Sequence, residues 1–225
     1  MRRPVLMATF VITALIGVVV VPAAQAAPAC KNLLVDPAGD ADHLNTGEPG
    51  RMVEDGRVVD LLSADLASDR KQLTVVMRTK GKRSEGGTDY LDHSWTLSFS
   101  TASERFHAAA YQTKVGGAHF NLWRVIAGDD VPEDEGGPSG SVGEGVDTVV
   151  TGTIDEAKGL IRMQVPLDAF AEFGGLGAKL TRIRVITWSG NGAYDKQAGN
   201  IAGSYGSTDF GRTDTSYRVG ARGCV

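Results

Sequence analysis

The sequence has little positive charge, and what it has is scattered. Its 225 residues include 23 Lys and Arg against 27 Asp and Glu, which gives a formal charge of −4 at pH 7. No run of basic residues forms the dense patch that binding to nucleic acid or anionic lipid requires. We therefore expect no nucleic-acid partner.

Long apolar runs are also scarce, because the only one lies at the N-terminus. MRRP supplies two arginines, VLMATFVITALIGVVVV follows, and Ala24-Gln25-Ala26 ends the segment with small residues. This order predicts a secretory signal peptide over residues 1–26, cleaved after Ala26. A membrane anchor is the alternative, but the apolar run is near the lower limit for spanning a bilayer. A lipoprotein is a second alternative because Cys30 lies nearby.

The expected mature chain, residues 27–225, is long enough for a single domain with a substantial core. Without Arg2 and Arg3 it keeps 21 basic residues against 27 acidic ones, a formal charge of −6. It contains no second apolar run of membrane length. We expect a secreted, extracellular monomer with no membrane span after cleavage.

Cysteine is nearly absent, with two residues at opposite ends of the mature chain, Cys30 and Cys224. Export would place both in an oxidising compartment. The sequence therefore predicts a disulfide between them, which requires the two ends of the chain to lie within about 7 Å. Two sulfurs without a paired histidine spacing do not make a zinc site.

Motifs of catalysis are missing as well. The chain has no Gly-x-Ser-x-Gly elbow, no His-Glu-x-x-His pair and no phosphate-binding glycine loop. Its four histidines show no ligand spacing within one element, although His107 and His119 could meet across a hairpin. We predict no catalytic residues, and the sequence favours a non-enzymatic role.

Helical patterns are few, whereas strand patterns are abundant. HSWTLSFST, residues 93–101, alternates apolar and polar side chains and predicts a strand with one buried face that includes Trp95. Further strand-like runs are separated by turn residues at hairpin spacing. The sequence predicts an all-β fold, an antiparallel β-sandwich of jelly-roll or immunoglobulin-like type, with at most one short helix near 167–173. A closed barrel is the alternative.

One predicted hairpin suggests a binding face. If Gly116 and Gly117 are the two central turn residues, the strands on either side pair with Gln112 opposite Asn121. One face then combines an indole with amide and imidazole groups, as a sugar-binding surface does. The candidate ligand residues are Gln112, His119, Asn121, Trp123 and, from a later strand, Trp188.

A cluster of aspartates follows the first predicted strand, in LLVDPAGDAD. The DPAGDA turn, followed by VVDLLSADLASDRKQLTVVMRTKG, resembles the N-terminal half of secreted DOMON-like domains, including those related to family 9 carbohydrate-binding modules. The likeness covers about residues 33–81. It implies an extracellular β-sandwich and, as in several relatives, a structural calcium ion near this turn and sugar binding on a sheet face.

Carboxylates near this turn could hold Ca²⁺, which takes six to eight oxygen ligands. The candidate metal ligands are Asp36, Asp40, Asp42 and Asp60. A second acidic stretch at 129–135 could also hold calcium, but acidic runs in glycine-rich loops are more often solvated.

Together these features predict a secreted, non-catalytic binding module for carbohydrate or cell-wall glycan, with calcium as a possible stabilising ion. Two alternatives remain open at this point. One is a structural or surface-associated protein that mediates protein contacts without a small ligand. The other is a secreted hydrolase.

Overall fold

The fold consists of antiparallel sheets joined mainly by short connections. The computed structural model of the protein describes residues 30–40, 42–44, 59–81, 92–113, 117–125, 143–146, 148–169, 175–190, 193–195, 200–202 and 206–221. The predicted signal peptide and Cys224 lie outside these residues. The strands are β1 Cys30–Val35, β2 Asp42–Leu44, β3 Leu61–Ser68, β4 Gln72–Thr79, β5 Asp92–Ser100, β6 Arg105–Thr113, β7 Gly117–Val125, β8 Gly143–Gly145, β9 Thr151–Asp155, β10 Leu160–Pro166, β11 Lys179–Gly190, β12 Ala193–Asp195, β13 Asn200–Ala202, β14 Gly206–Thr213 and β15 Tyr217–Arg218.

Two large sheets form the sandwich. The five-stranded sheet has the order β1-β3-β4-β10-β9. The other large sheet has the order β2-β14-β11-β5-β6-β7-β8, with β15 paired to β11, and β12 and β13 form a separate pair. The predicted all-β sandwich is confirmed.

The core lies between the two large sheets because alternate side chains of each strand point to it. In β5 the side chains of Trp95, Leu97 and Phe99 are fully buried, as their period-two spacing predicts. Leu73, Val75 and Met77 of β4, among others, meet them from the five-stranded sheet. This arrangement leaves the opposite face of the larger sheet turned away from the core.

A tight turn around residues 155–159 connects β9 to β10. The turn is a 3₁₀ segment, Glu156–Lys158, in which the Asp155 side chain accepts a hydrogen bond from the Lys158 N–H at 3.1 Å. Gly159 ends it with a φ of 59°, which glycine adopts without steric cost. Residues 167–169 form another 3₁₀ turn at the start of the predicted short helix, and residues 170–174 lie outside the described part.

The predicted register of the β6–β7 hairpin is wrong. Thr113 pairs with Gly117, so three residues separate the strands instead of the expected two-residue Gly116-Gly117 loop. Gly117 itself has a φ of 74° and begins β7, which fits a three-residue connection closed by a glycine at positive φ. Because the register differs by an odd number of residues, every side chain of β6 changes face relative to β7.

Candidate functional site

The turn that follows β1 is attached to the start of β3. The Asp36 N–H donates to the Leu62 carbonyl at 3.1 Å and extends the β1–β3 pairing by one residue. Three residues later, Gly39 has a φ of 97° and its N–H donates to Asp60 Oδ1 at 3.0 Å. These bonds turn the chain back, and Asp36 and Asp40 then lie on the same side of the turn.

A third aspartate comes from the other sheet. Asp209 on β14 accepts hydrogen bonds from the N–H groups of Leu61 and Phe210, each at 2.7 Å. The carboxylate oxygens of Asp36, Asp40 and Asp209 lie within 4.8 Å of one another. We call these three residues the acidic centre.

Glycine at position 211 permits this meeting of the two sheets. A Cβ atom there would lie 2.5 Å from Leu34 Cδ2 and 2.9 Å from Leu61 Cδ2, well inside contact distance. Without a side chain at Gly211, β14 can pass close to β1 and β3. Asp209, two residues earlier on the same strand face, is thereby carried to the turn after β1.

The carboxylates of the acidic centre oppose each other's ionisation. Burial raises the pKa of Asp36 to about 7, and the charges of Asp209, Asp40 and Asp60 add to the rise. Burial also raises the pKa of Asp209, against the lowering effect of its two backbone hydrogen bonds. Such shifts mean that the site disfavours negative charge unless a proton or a cation is bound.

Two further observations bear on cation binding. Oδ2 of Asp36 is buried and accepts no hydrogen bond from any described residue. Beside this turn, Lys80 Nζ forms an ion pair with Asp60 Oδ2 at 2.7 Å, while Asp36, Asp40 and Asp209 form no ion pair with another described residue. Hard oxygen ligands at this density fit calcium chemistry.

The predicted metal ligands meet only in part. Asp36 and Asp40 belong to the acidic centre, and Asp60 contacts the same turn through Gly39 while it pairs with Lys80. Asp42 lies in β2 opposite Thr208, but its side chain is outside the described residues. The sequence analysis missed Asp209. Its segment is rich in Gly, Ser and Thr, and the only available signal was the alternation of Ser207, Asp209 and Gly211 with larger side chains.

The second candidate site is the outer face, which is the side of the larger sheet turned away from the core. On β7 it carries His119, Asn121 and Trp123, as predicted. The corrected register places Tyr111 opposite His119, Ala109 opposite Asn121 and His107 opposite Trp123. Gln112 therefore belongs to the opposite face, together with Ala118, and is not part of this set.

The aromatic residues of the outer face differ in exposure. Trp123 is partly exposed, and its indole meets the Tyr111 ring edge-on, with centroids 5.8 Å apart and an interplanar angle of 76°. Tyr111 is itself buried at 3 % exposure, so it holds the indole and presents little surface of its own. Trp188 also lies on the outer face, opposite Ser94, but is only 8 % exposed. Trp123 is thus the aromatic platform of the set.

A largely buried histidine lies beside this platform. His107 Nδ1 and Ser98 Oγ are 2.7 Å apart. Burial, with the charge of Arg105, lowers the pKa of His107 to about 4. The imidazole is therefore neutral at physiological pH and contributes hydrogen-bonding groups without charge.

Compared with known proteins, the chain matches no family model, no curated protein and no solved structure. Among the described residues, none of the helical segments has both the length and the apolar character needed to cross a bilayer.

Proposed function

We propose that this chain is an exported, non-catalytic β-sandwich that binds carbohydrate on its outer face. The observation that carries the proposal is the partly exposed indole of Trp123, braced by Tyr111. Sugar rings present apolar C–H faces that an indole can cover, and hydroxyl groups that need polar partners. Both kinds of group occur together at this position.

The polar partners come from the neighbouring residues of β7. His119 and Asn121 are partly exposed on the same strand face as Trp123. An amide offers both a donor and an acceptor, and the ring nitrogens of an imidazole also form hydrogen bonds. Ala109, opposite Asn121, is fully buried, so the polar surface available to a ligand here belongs to β7.

We further propose that calcium binds the acidic centre and has a structural role. Asp36 and Asp40 follow a strand of the five-stranded sheet, whereas Asp209 belongs to the larger one. A divalent cation among them would join the two sheets and neutralise carboxylates that otherwise repel one another. The resemblance of residues 33–81 to DOMON-like domains is in keeping with such an ion.

A direct test measures glycan binding by the mature chain and its Trp123→Ala variant. Isothermal titration against soluble glycans should show binding that this substitution weakens by about tenfold or more, because buried aromatic anchors dominate such interfaces. Trp123→Phe should retain part of the affinity. Val149→Ala, which alters a side chain that is 77 % exposed elsewhere, is the matched control.

Two results would contradict the proposal. One is the absence of binding to every glycan tested, provided that the wild-type protein is folded. The other is binding that responds equally to Trp123→Ala and Val149→Ala, since the outer face would then have no special part in it.

A further inference from the structure

One row of side chains crosses the outer face from the arginines to the indole. Successive residues of neighbouring strands stand opposite each other in register, first Arg212 and Arg184, then Ser98, His107 and Trp123. Because adjacent strands are about 4.8 Å apart, the four steps from β14 to β7 span about 19 Å. We call these five residues the cross-strand row.

The arginine end of the row brings two like charges together. Arg212 and Arg184 are directly opposite on antiparallel strands and on the same face, where like charges destabilise a sheet. Arg212 is exposed and forms no ion pair with any described residue. Such a pair is stabilised when an anion lies between the two guanidinium groups and accepts hydrogen bonds from both.

Arg184 is partly buried and has another interaction within the chain. A guanidinium offers five N–H donors in a planar fork, so it can bind more than one acceptor. A third arginine, Arg105, contributes positive potential on the same face, since its charge acts on His107. The positive potential is therefore shared by three strands, β14, β11 and β6.

The middle of the row consists of smaller, neutral groups. Ser98 is 5 % exposed and is within hydrogen-bonding distance of His107. Nε2 of His107 is buried and has no hydrogen-bond partner among the described residues. Small polar side chains thus separate a cationic end from an aromatic end.

From this juxtaposition we infer that the ligand of the outer face is an acidic glycan, with its carboxylate or sulfate groups on Arg212 and Arg184 and a sugar ring on Trp123. The inference rests on the proposed carbohydrate-binding function and specifies its ligand class. Carboxylates match the planar fork of arginine with two parallel hydrogen bonds, and sulfate oxygens can be bound in the same way.

General attraction between opposite charges does not explain such binding. The expected mature chain carries a formal charge of −6, so the molecule as a whole repels polyanions. Affinity for an acidic glycan must then come from the two arginines of the cross-strand row. Binding should consequently depend on individual arginine residues and not on total charge.

The test compares three soluble polymers under one salt condition: polygalacturonate for carboxylates, dextran sulfate for sulfates and unmodified dextran as the neutral polymer. At least one acidic polymer should bind at least about tenfold more tightly than dextran. Arg212→Gln and Arg184→Gln should each reduce that affinity by about tenfold, which corresponds to loss of one charge-assisted hydrogen-bonding group. Arg70→Gln makes the same charge change on an exposed turn between β3 and β4 and should leave affinity unchanged.

Thermal melting without ligand separates a binding role from a structural one. Arg212→Gln should leave the melting temperature unchanged or raise it, because the substitution removes a repulsion. A clear fall in melting temperature, in parallel with the loss of affinity, would indicate that Arg212 supports the fold and would overturn the inference.

The remaining outcomes distinguish this inference from the proposed function. Tight binding to dextran that depends on Trp123 and not on the arginines would overturn the acidic-glycan inference and leave carbohydrate binding intact. If the protein binds none of the three polymers and no other glycan, both the inference and the proposed function are overturned. Equal affinity for duplex DNA would show that the row recognises charge alone, and it too would overturn the inference.

Discussion

Asp36 is an ordinary aspartate in surroundings that oppose its charge. Its Oδ2 is buried, and three other carboxylates raise its pKa together with burial. A group whose pKa is higher in the folded state than in the unfolded chain binds protons preferentially when folded. Without a cation, Asp36 therefore contributes most to stability at low pH, and this contribution falls as the pH rises from about 4 towards 7.

Replacing Asp36 with Asn should therefore stabilise the cation-free protein at high pH. In chelator at pH 8, the variant should melt at a higher temperature than the wild type, because it removes an unfavourable buried charge. The advantage should shrink as the pH falls below 7, where Asp36 becomes protonated. With added calcium at pH 8, the wild type should gain stability and the variant should gain little.

Melting curves in chelator and in calcium at pH 5, 6, 7 and 8 measure both effects. Asp214→Asn, at an exposed aspartate outside the acidic centre, serves as the control. A difference between wild type and Asp36→Asn that stays constant with pH would contradict the raised pKa. A wild-type melting temperature indifferent to calcium would count against the ion.

At the scale of single elements, the sequence predicted the strand over residues 93–101, which the structure has as Asp92–Ser100. The alternation in β5 was sufficient to place Trp95 in the core, where it is fully buried. Prediction failed where glycine determines the geometry. A Gly-Gly pair does not reveal which glycine takes the positive φ, and the difference changed the partner of every residue in β6 and β7.

The position of β14 is a second feature that the sequence does not reveal. Residues 189–215 have the composition of a loop, yet Gly206–Thr213 forms a strand inside the larger sheet, between β2 and β11. Its place depends on a close contact between the sheets, at which Gly211 leaves room for the side chains of Leu34 and Leu61. Contacts of this kind are set by tertiary packing, and for that reason Asp209 could not be assigned to the acidic centre from the sequence.

Gly211→Ala should therefore destabilise the protein by about 1–3 kcal/mol, the usual cost of overpacking. The added methyl group would overlap with Leu34, whose Cδ2 lies 2.5 Å from the ideal Cβ position. Urea unfolding provides the measurement. Gly145→Ala is the control, because nothing lies within 4 Å of a Cβ at that strand position.

A double-mutant cycle tests the cause of the Gly211→Ala effect. In a Leu34→Ala background the space beside Gly211 is larger, so the added methyl group should cost much less than in the wild type. Equal costs in the two backgrounds would show that the contact with Leu34 is not responsible.

At the scale of the whole molecule, the two ends of the described chain lie near the same strand. Cys30 pairs with Leu66 on β3 and is 1 % exposed. Two residues further along β3, Ser68 Oγ accepts from the Gly220 N–H at 2.6 Å and lies 2.7 Å from the Tyr217 hydroxyl. The chain near its C-terminal end is therefore fixed beside the strand that contacts Cys30.

This placement supports the predicted disulfide between Cys30 and Cys224. Cys224 follows Ala221 by three residues, a stretch that spans up to about 11 Å when extended, and the disulfide itself stays a prediction. The bond would stabilise the fold by up to about 5 kcal/mol, since it closes a loop of nearly the whole mature chain.

Unreduced protein should resist alkylation under denaturing conditions and gain two labels after reduction, as read by mass spectrometry. In urea, reductant should lower the stability of the wild type but not that of the Cys30→Ala/Cys224→Ala double variant, whereas alkylation before reduction would show that the thiols are free.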